Sequence, residues 1–149
     1  MIIRNLIFLF LIIVQLNAGM VGGYAGSELR YGSNAREFSL GGALIALSNP
    51  GFRQFSNPAL ISTVKKSEIG LSLFSMSLDR SIQSFVYNQH LPPKAGLGLA
   101  IFRSGTSNIE GRNTIGEITE TFTYSNLMGI LSFGVQFTEK ICLGLNLKI

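Results

Sequence analysis

The feature that most constrains this chain is a strict two-residue period whose second phase is small and uncharged. Ile141, Leu143, Leu145, Leu147 and Ile149 alternate with Cys142, Gly144, Asn146 and Lys148. Leu131, Phe133, Val135 and Phe137 alternate with Ser132, Gly134 and Gln136, and Leu97, Leu99 and Ile101 with Gly98, Ala100 and Phe102. In an extended strand such spacing sends the two sets to opposite faces. A soluble antiparallel sheet also has one apolar and one polar face, but it usually shows Lys, Glu and Thr to water. Here the second set is mostly Gly, Ser, Ala, Asn and Gln, and no charged residue lies between Leu127 and Thr138. Charged residues are only 13% of the chain and apolar ones 46%, with 17 glycines, which favours strands facing lipid over a secreted sandwich.

Two further strands are less regular. Ile69, Leu71 and Leu73 alternate with Gly70 and Ser72, but the pattern slips at Phe74 and resumes through Met76 and Leu78, as at a bulge or strand end. In the run from Ser81 to Gln89, Ile82/Ser84/Val86 and Phe85/Tyr87 are too alike to assign to faces. Asp79-Arg80 reads as a short turn between these strands, Thr138-Glu139-Lys140 as a hairpin connection, and Pro92 to Gly96 as a tight turn. Ser104 to Glu120 reads as a long polar loop. The two tight turns then fall at one end of the sheet and the long loop at the other, as in outer-membrane barrels. Strands of about 9 to 11 residues suit a tilted crossing of the hydrocarbon layer.

Residues 1–18 have the layout of a secretory signal peptide. Arg4 supplies the charge, Leu6 to Val14 the apolar core, and Ala18 a small residue for cleavage, with Gly23-Tyr24-Ala25 as a second candidate. The core is shorter than the roughly 20 residues a spanning helix needs. The expected organisation is a signal peptide at 1–18, a Gly/Ala/Ser/Asn-rich segment at 19–66 without clean alternation, and strands from 67 to 149.

Chemistry-bearing residues are sparse. Cys142 is the only cysteine and sits between Ile141 and Leu143, so it reads as a small wall residue, with no intrachain disulfide open to it. His90 lies ahead of Pro92-Pro93 without sequence partners for zinc or general-base work and reads as a strand-end residue. Asp79, Glu110, Glu117 and Glu120 fall in expected loops with no nucleophile–base pairing, so no enzymatic activity is expected. The net charge of +4 is spread out, with no basic run longer than Lys65-Lys66, which argues against a nucleic-acid partner. Gly41-Gly42 lacks the Gly-Lys-Ser/Thr ending of a phosphate loop, and no cofactor is expected.

The distinctive segment is Gly32-Ser33-Asn34-Ala35-Arg36-Glu37-Phe38-Ser39-Leu40-Gly41-Gly42-Ala43-Leu44-Ile45-Ala46-Leu47, followed after nine residues by Asn57-Pro58-Ala59-Leu60. Gly41-Gly42-Ala43 has so little side-chain volume that another backbone could approach closely there. Pro58 restricts Asn57 to extended geometry and lacks an amide donor, which suits a chain reversal. Gly41, Gly42, Ala43, Asn57, Pro58 and Ala59 are therefore the expected plug motif, either a functional hatch or plain turns. Together with the run Phe122 to Leu127 and the ending Gly144-Leu145-Asn146-Leu147-Lys148, the segment resembles the PorV/PorQ-type outer-membrane proteins, distant relatives of the FadL-like transporters.

The fold expected is thus all-β: an antiparallel transmembrane β-barrel, incomplete at about five strands, preceded by a small irregular or helical N-terminal plug segment. Since the smallest membrane barrels have about eight strands and alternation is still running at Ile149, the chain reads as the N-terminal part of a barrel cut before closure. The resemblance implies residence in the bacterial outer membrane, contact with its lipid, and a role in type IX secretion alongside secretion-system components or exported proteins. The alternatives are a FadL-like channel for hydrophobic small molecules and a secreted soluble β-sandwich with a binding role.

Overall fold

The computed structural model describes residues 27–47 and 51–149. The expected signal peptide and both cleavage candidates lie outside them. Among the described residues five strands form one antiparallel sheet: β1 (Glu68–Met76), β2 (Arg80–Leu91), β3 (Ala95–Arg112), β4 (Ile118–Gln136) and β5 (Cys142–Lys148). Each pairs with its sequence neighbour in the order β1-β2-β3-β4-β5. The chain is all-β in class, with every run read as a strand found as one. The sheet is open, and β1 and β5 are its edges.

Three expectations need correction. Phe74 marks neither a bulge nor a strand end: β1 pairs with β2 without a shift from Glu68↔Asn88 to Met76↔Arg80. Phe74 and Met76 share the face of Gly70 and Ser72, where Phe74 meets the ring of Phe38 at 6.1 Å between centroids. Their bulk comes from contact with the N-terminal segment.

The second correction concerns Ser104 to Glu120, which is not a loop. β3 continues to Arg112, and β4 starts at Ile118 after a turn in which Asn113 Oδ1 accepts from the amides of Ile115 and Glu117. From Ser107 onward both faces of this hairpin end are largely exposed, so nothing selects apolar residues on either side and the alternation vanishes while the backbone ladder goes on. Third, β3 and β4 run to 18 and 19 residues, well beyond the expected crossing length.

The register lines the two faces up in rows. On one face Ile69, Tyr87, Leu99, Leu131 and Leu147 lie side by side, next to Leu71, Phe85, Ile101 and Gly129, and to Leu97, Phe133 and Leu145. Across the sheet from these stand Glu68, Asn88, Gly98, Ser132 and Asn146, with Gly70, Val86, Ala100, Ile130 and Lys148 beside them. The phase left open in β2 is thereby fixed: Ile82, Ser84 and Val86 are buried, while Phe85 is exposed.

The burial is the reverse of a water-soluble sheet. The greasy rows are bare, with Leu71 67% and Leu145 71% exposed, whereas Ser132 and Asn88 are fully buried. What covers the small, polar face is the N-terminal segment, folded into short helical turns: a 3-10 turn at Ser27–Tyr31, α1 (Ala35–Ser39), α2 (Arg53–Ser56) and a second 3-10 turn at Pro58–Thr63. Phe52 and Phe55 pack on a small cluster of Val86, Ala100 and Ile130, and Leu44, Ile61 and Val64 of the segment are buried as well. No helix among the described residues is long and apolar enough to cross a membrane.

Candidate functional site

The first distinctive motif folds into a helix turn capped at both ends. Gly32 takes φ +85°, which a side chain would resist. Asn34 is the N-cap of α1, its Oδ1 accepting from the amides of Arg36 and Glu37 at 3.1 Å. Glu37 reaches back to the amide and hydroxyl of Ser33 at 2.7 and 2.8 Å, a variant of the reciprocal capping box. At the far end Gly41 takes φ +58°; its amide donates to Phe38 O, and that of Gly42 donates to Glu37 O at 3.0 Å. This is the paired hydrogen bonding of a Schellman stop.

The close backbone approach expected at Gly41-Gly42-Ala43 is therefore not found. Among the described residues nothing lies within 4 Å of where a Cβ would sit on Gly41 or Gly42, and all three residues are exposed. These glycines serve chain direction.

Close approach occurs at the second motif. Asn57 is extended, and its Oδ1 caps the Pro58–Thr63 turn by accepting from Ala59 N at 3.1 Å. Its Nδ2 donates to Ile45 O at 3.1 Å, tying this motif to the end of the first. Pro58 occupies the first helical position, where a missing amide costs nothing. The turn then lies on a row of glycines in three neighbouring strands, Gly96↔Gly134↔Gly144. A Cβ on Gly134 would stand 2.8 Å from Pro58 O and 2.9 Å from Ser62 N. On Gly96 it would strike the carbonyl of Ile61, and on Gly144 the amide of Ala59. Neighbouring Gly98 leaves room for Ile61 and for Gln54.

Beside this groove a polar network joins segment to sheet. Gln54 Nε2 donates to Asn88 Oδ1 at 2.7 Å and to Leu99 O at 3.2 Å. Asn88 Nδ2 donates to Gly51 O at 2.9 Å, and Asn146 Nδ2 to Gln54 O at 2.7 Å. Ser132 Oγ donates to Asn146 Oδ1 at 2.5 Å, and Ser84 Oγ donates to Ser33 O. Arg53, almost fully buried, forms an ion pair with Glu68 at the start of β1, whose carboxylate also accepts from Gly51 N at 3.1 Å.

Breaking a buried pair from one side leaves a charge unmatched. Glu68 keeps some solvent, its side chain being 28% exposed, so Arg53→Met is expected to cost about 2 kcal/mol, between the buried and surface limits. Arg53→Met/Glu68→Leu should recover at least half of that loss in a denaturant-based double-mutant cycle. Additive losses would show that the two side chains do not act as a pair.

A second anchor is more exposed. The carboxylate of Glu28 accepts from Asn126 Nδ2 at 2.9 Å and from Tyr124 Oη at 3.0 Å. Its own backbone amide, then Asn126, hold the carboxyl below its ordinary value of 4.5. The contact is complete above that value and is lost as pH falls through the lowered one.

The structure brings Pro58 and Ala59 against the sheet, with Asn57 capping their turn, and leaves Gly41, Gly42 and Ala43 outside the contact. It adds Gly96, Gly98, Gly134 and Gly144 with Arg53, Gln54, Glu68 and Asn88, which sequence reasoning passed over. Gly98, Gly134 and Gly144 stood in the small phase of the alternation and Gly96 in an expected turn, but their alignment depends on register between strands remote in sequence.

The remaining polar candidates are scattered. His90 is half-buried near the end of β2, and Cys142 is a free thiol at the start of β5. Glu110 pairs with Arg112 at 2.6 Å, Glu117 accepts from Asn113 Nδ2, and Asp79 from Asn108 Nδ2. No group of His, Cys, Asp and Glu among the described residues could hold a metal ion. No family model, curated protein or solved structure matches the chain.

Proposed function

We propose that this chain forms part of the wall of an outer-membrane β-barrel, with the segment from Ser27 to Val64 as its internal plug. The observation that carries the reading is the inverted burial: apolar rows stand bare on one face, while the Gly/Ser/Asn face is covered. In lipid the bare rows are the stable arrangement, and a polar interior is the usual filling of such barrels. Gln54 Oε1, Ser104 Oγ and His90 Nδ1 are buried without a partner among the described residues, which suits a wet interior better than a sealed core. The edges of β1 and β5 must find further strands, since unpaired backbone groups are costly in hydrocarbon.

Within that class the reading follows the PorV/PorQ resemblance: a non-enzymatic outer-membrane component of type IX secretion, in contact with secretion-system components or exported proteins at the cell surface. One inner row, with Asn88, Ser132 and Asn146, is polar where it meets the plug, which supports this reading over a FadL-like conduit for hydrophobic molecules.

The test uses the full-length protein expressed with its leader. It should fractionate with the outer membrane and, refolded in detergent, migrate faster on a gel before boiling than after. Deletion of its gene should impair surface release of exported proteins while leaving fatty-acid uptake unchanged. Recovery as a folded monomer in buffer without detergent would refute the barrel. Intact secretion with lost fatty-acid uptake would replace the secretion role.

A further inference from the structure

The sheet has a step in its upper rim that neither the plug nor the apolar band explains. The pairing of β2 with β3 ends at Arg80↔Thr106, yet β3 continues to Arg112. Over residues 107–112, roughly 20 Å of strand, no described strand lies beside β3 on the side that β2 occupies lower down. The cause is internal: β1 and β2 turn back at residues 77–79 while the β3–β4 hairpin rises past them.

A hollow of about 470 Å³ sits at the foot of this step. It is bounded by Leu78, Asp79 and residues 106–110. Leu78, Asp79 and Asn108 take φ of +63°, +51° and +54°, and they are the non-glycine residues with positive φ among those described. All three line this hollow. Left-handed backbone is unusual for leucine, and such residues persist where the surroundings hold them. Here Ser107 N donates to Asp79 O at 3.0 Å, and Asn108 Nδ2 donates to Asp79 Oδ2 at 2.9 Å. Leu78 is left 79% exposed and Ile109 38% exposed, giving the hollow two apolar walls. Asp79 Oδ1 adds an acceptor without a partner among the described residues.

We infer that this step receives an extended polypeptide segment, which adds as a short strand to the free edge of β3 from Ile109 to Arg112. An unpaired strand edge is satisfied by another strand, and alternate side chains of that strand meet the surface beside it. The register shift between Thr106 and Ile109 interrupts β3 just below, so pairing starts at Ile109 and the register is set. The segment places an apolar side chain between Leu78 and Ile109 and a preceding Lys or Arg against Asp79. The inference does not depend on the membrane reading, because this hairpin end projects beyond the apolar rows in either case.

The test is fluorescence anisotropy of the full-length protein, in detergent or buffer as its solubility dictates, with a labelled Lys-Val-Thr-Val-Thr-Val peptide. Saturable binding is expected, weakened about tenfold or more when alternate peptide amides are N-methylated, since those cannot pair with an edge. Leu78→Gly, which suits the left-handed backbone and removes one wall, should weaken it similarly. Asp79→Asn should weaken the lysine peptide and leave one starting with Gln unchanged. Absence of saturable binding, equal affinity for methylated and plain peptides, or concentration-dependent self-association through this edge in place of peptide binding would each overturn the proposal.

Discussion

Leu131→Arg should keep the protein out of lipid bilayers while Leu127→Arg leaves insertion nearly intact. Leu131 is at the middle of the bare apolar rows, flanked by Leu99 and Leu147. Leu127 lies higher on the same face, level with Arg103, which already places a guanidinium there beside Gln83. An arginine on the lipid face of a barrel costs about 2–4 kcal/mol at mid-depth and about 0–1 kcal/mol near the interface. Refolding into vesicles followed by gel shift or protease protection reads the difference. If both variants insert as the parent does, or if Leu131→Arg increases yield in plain buffer, the bare face belongs to water or to another protein surface. The depth contrast separates lipid from a merely greasy patch.

The second large effect is expected at the glycine groove. Gly134→Val, alone or with Gly144→Val, should drive the Pro58–Thr63 turn off the sheet, because the new atoms would occupy the space of Pro58 O, Ser62 N and Ala59 N. Overpacking costs about 1–3 kcal/mol per site where side chains can adjust, and here the obstacle is backbone. The readout is maleimide labelling of Ser62→Cys in a Cys142→Ser background, since Ser62 is buried where the turn meets the sheet. Labelling should be slow in the parent and at least about tenfold faster with the valines. Gly129→Val is the control: its Cβ meets nothing within 4 Å among the described residues and stands on the outer face. Unchanged labelling in the groove variants would mean that the turn is not held by this contact.

The strands were legible because the period survived wherever one face differed from the other. The runs around Leu97–Phe102, Leu131–Gln136 and Cys142–Lys148 form strands, with the greasy phase bare in all three and the second phase covered in the first two. The hairpin end beyond Thr106 was opaque for the complementary reason, having solvent on both sides. Phe74 broke the pattern because an inward position met the aromatic ring of Phe38 instead of another small group. The plug motif was half readable. Asn57-Pro58 announced a capped turn, and the glycines at 41 and 42 announced unusual backbone, but two uses of glycine look alike in one dimension. At Gly41 the residue supplies a left-handed stop, whereas at Gly134 it supplies absence of bulk. Only the pairing of β3, β4 and β5 tells them apart.

The alignment of Gly96, Gly134 and Gly144 has a consequence for shape as well. Residues without side chains, stacked across adjacent strands, form a crease along which pleated wall can fold inward more sharply than elsewhere. A tube closed from such a wall would be flattened, with a corner at that line, and its inner outline would follow the object lodged there.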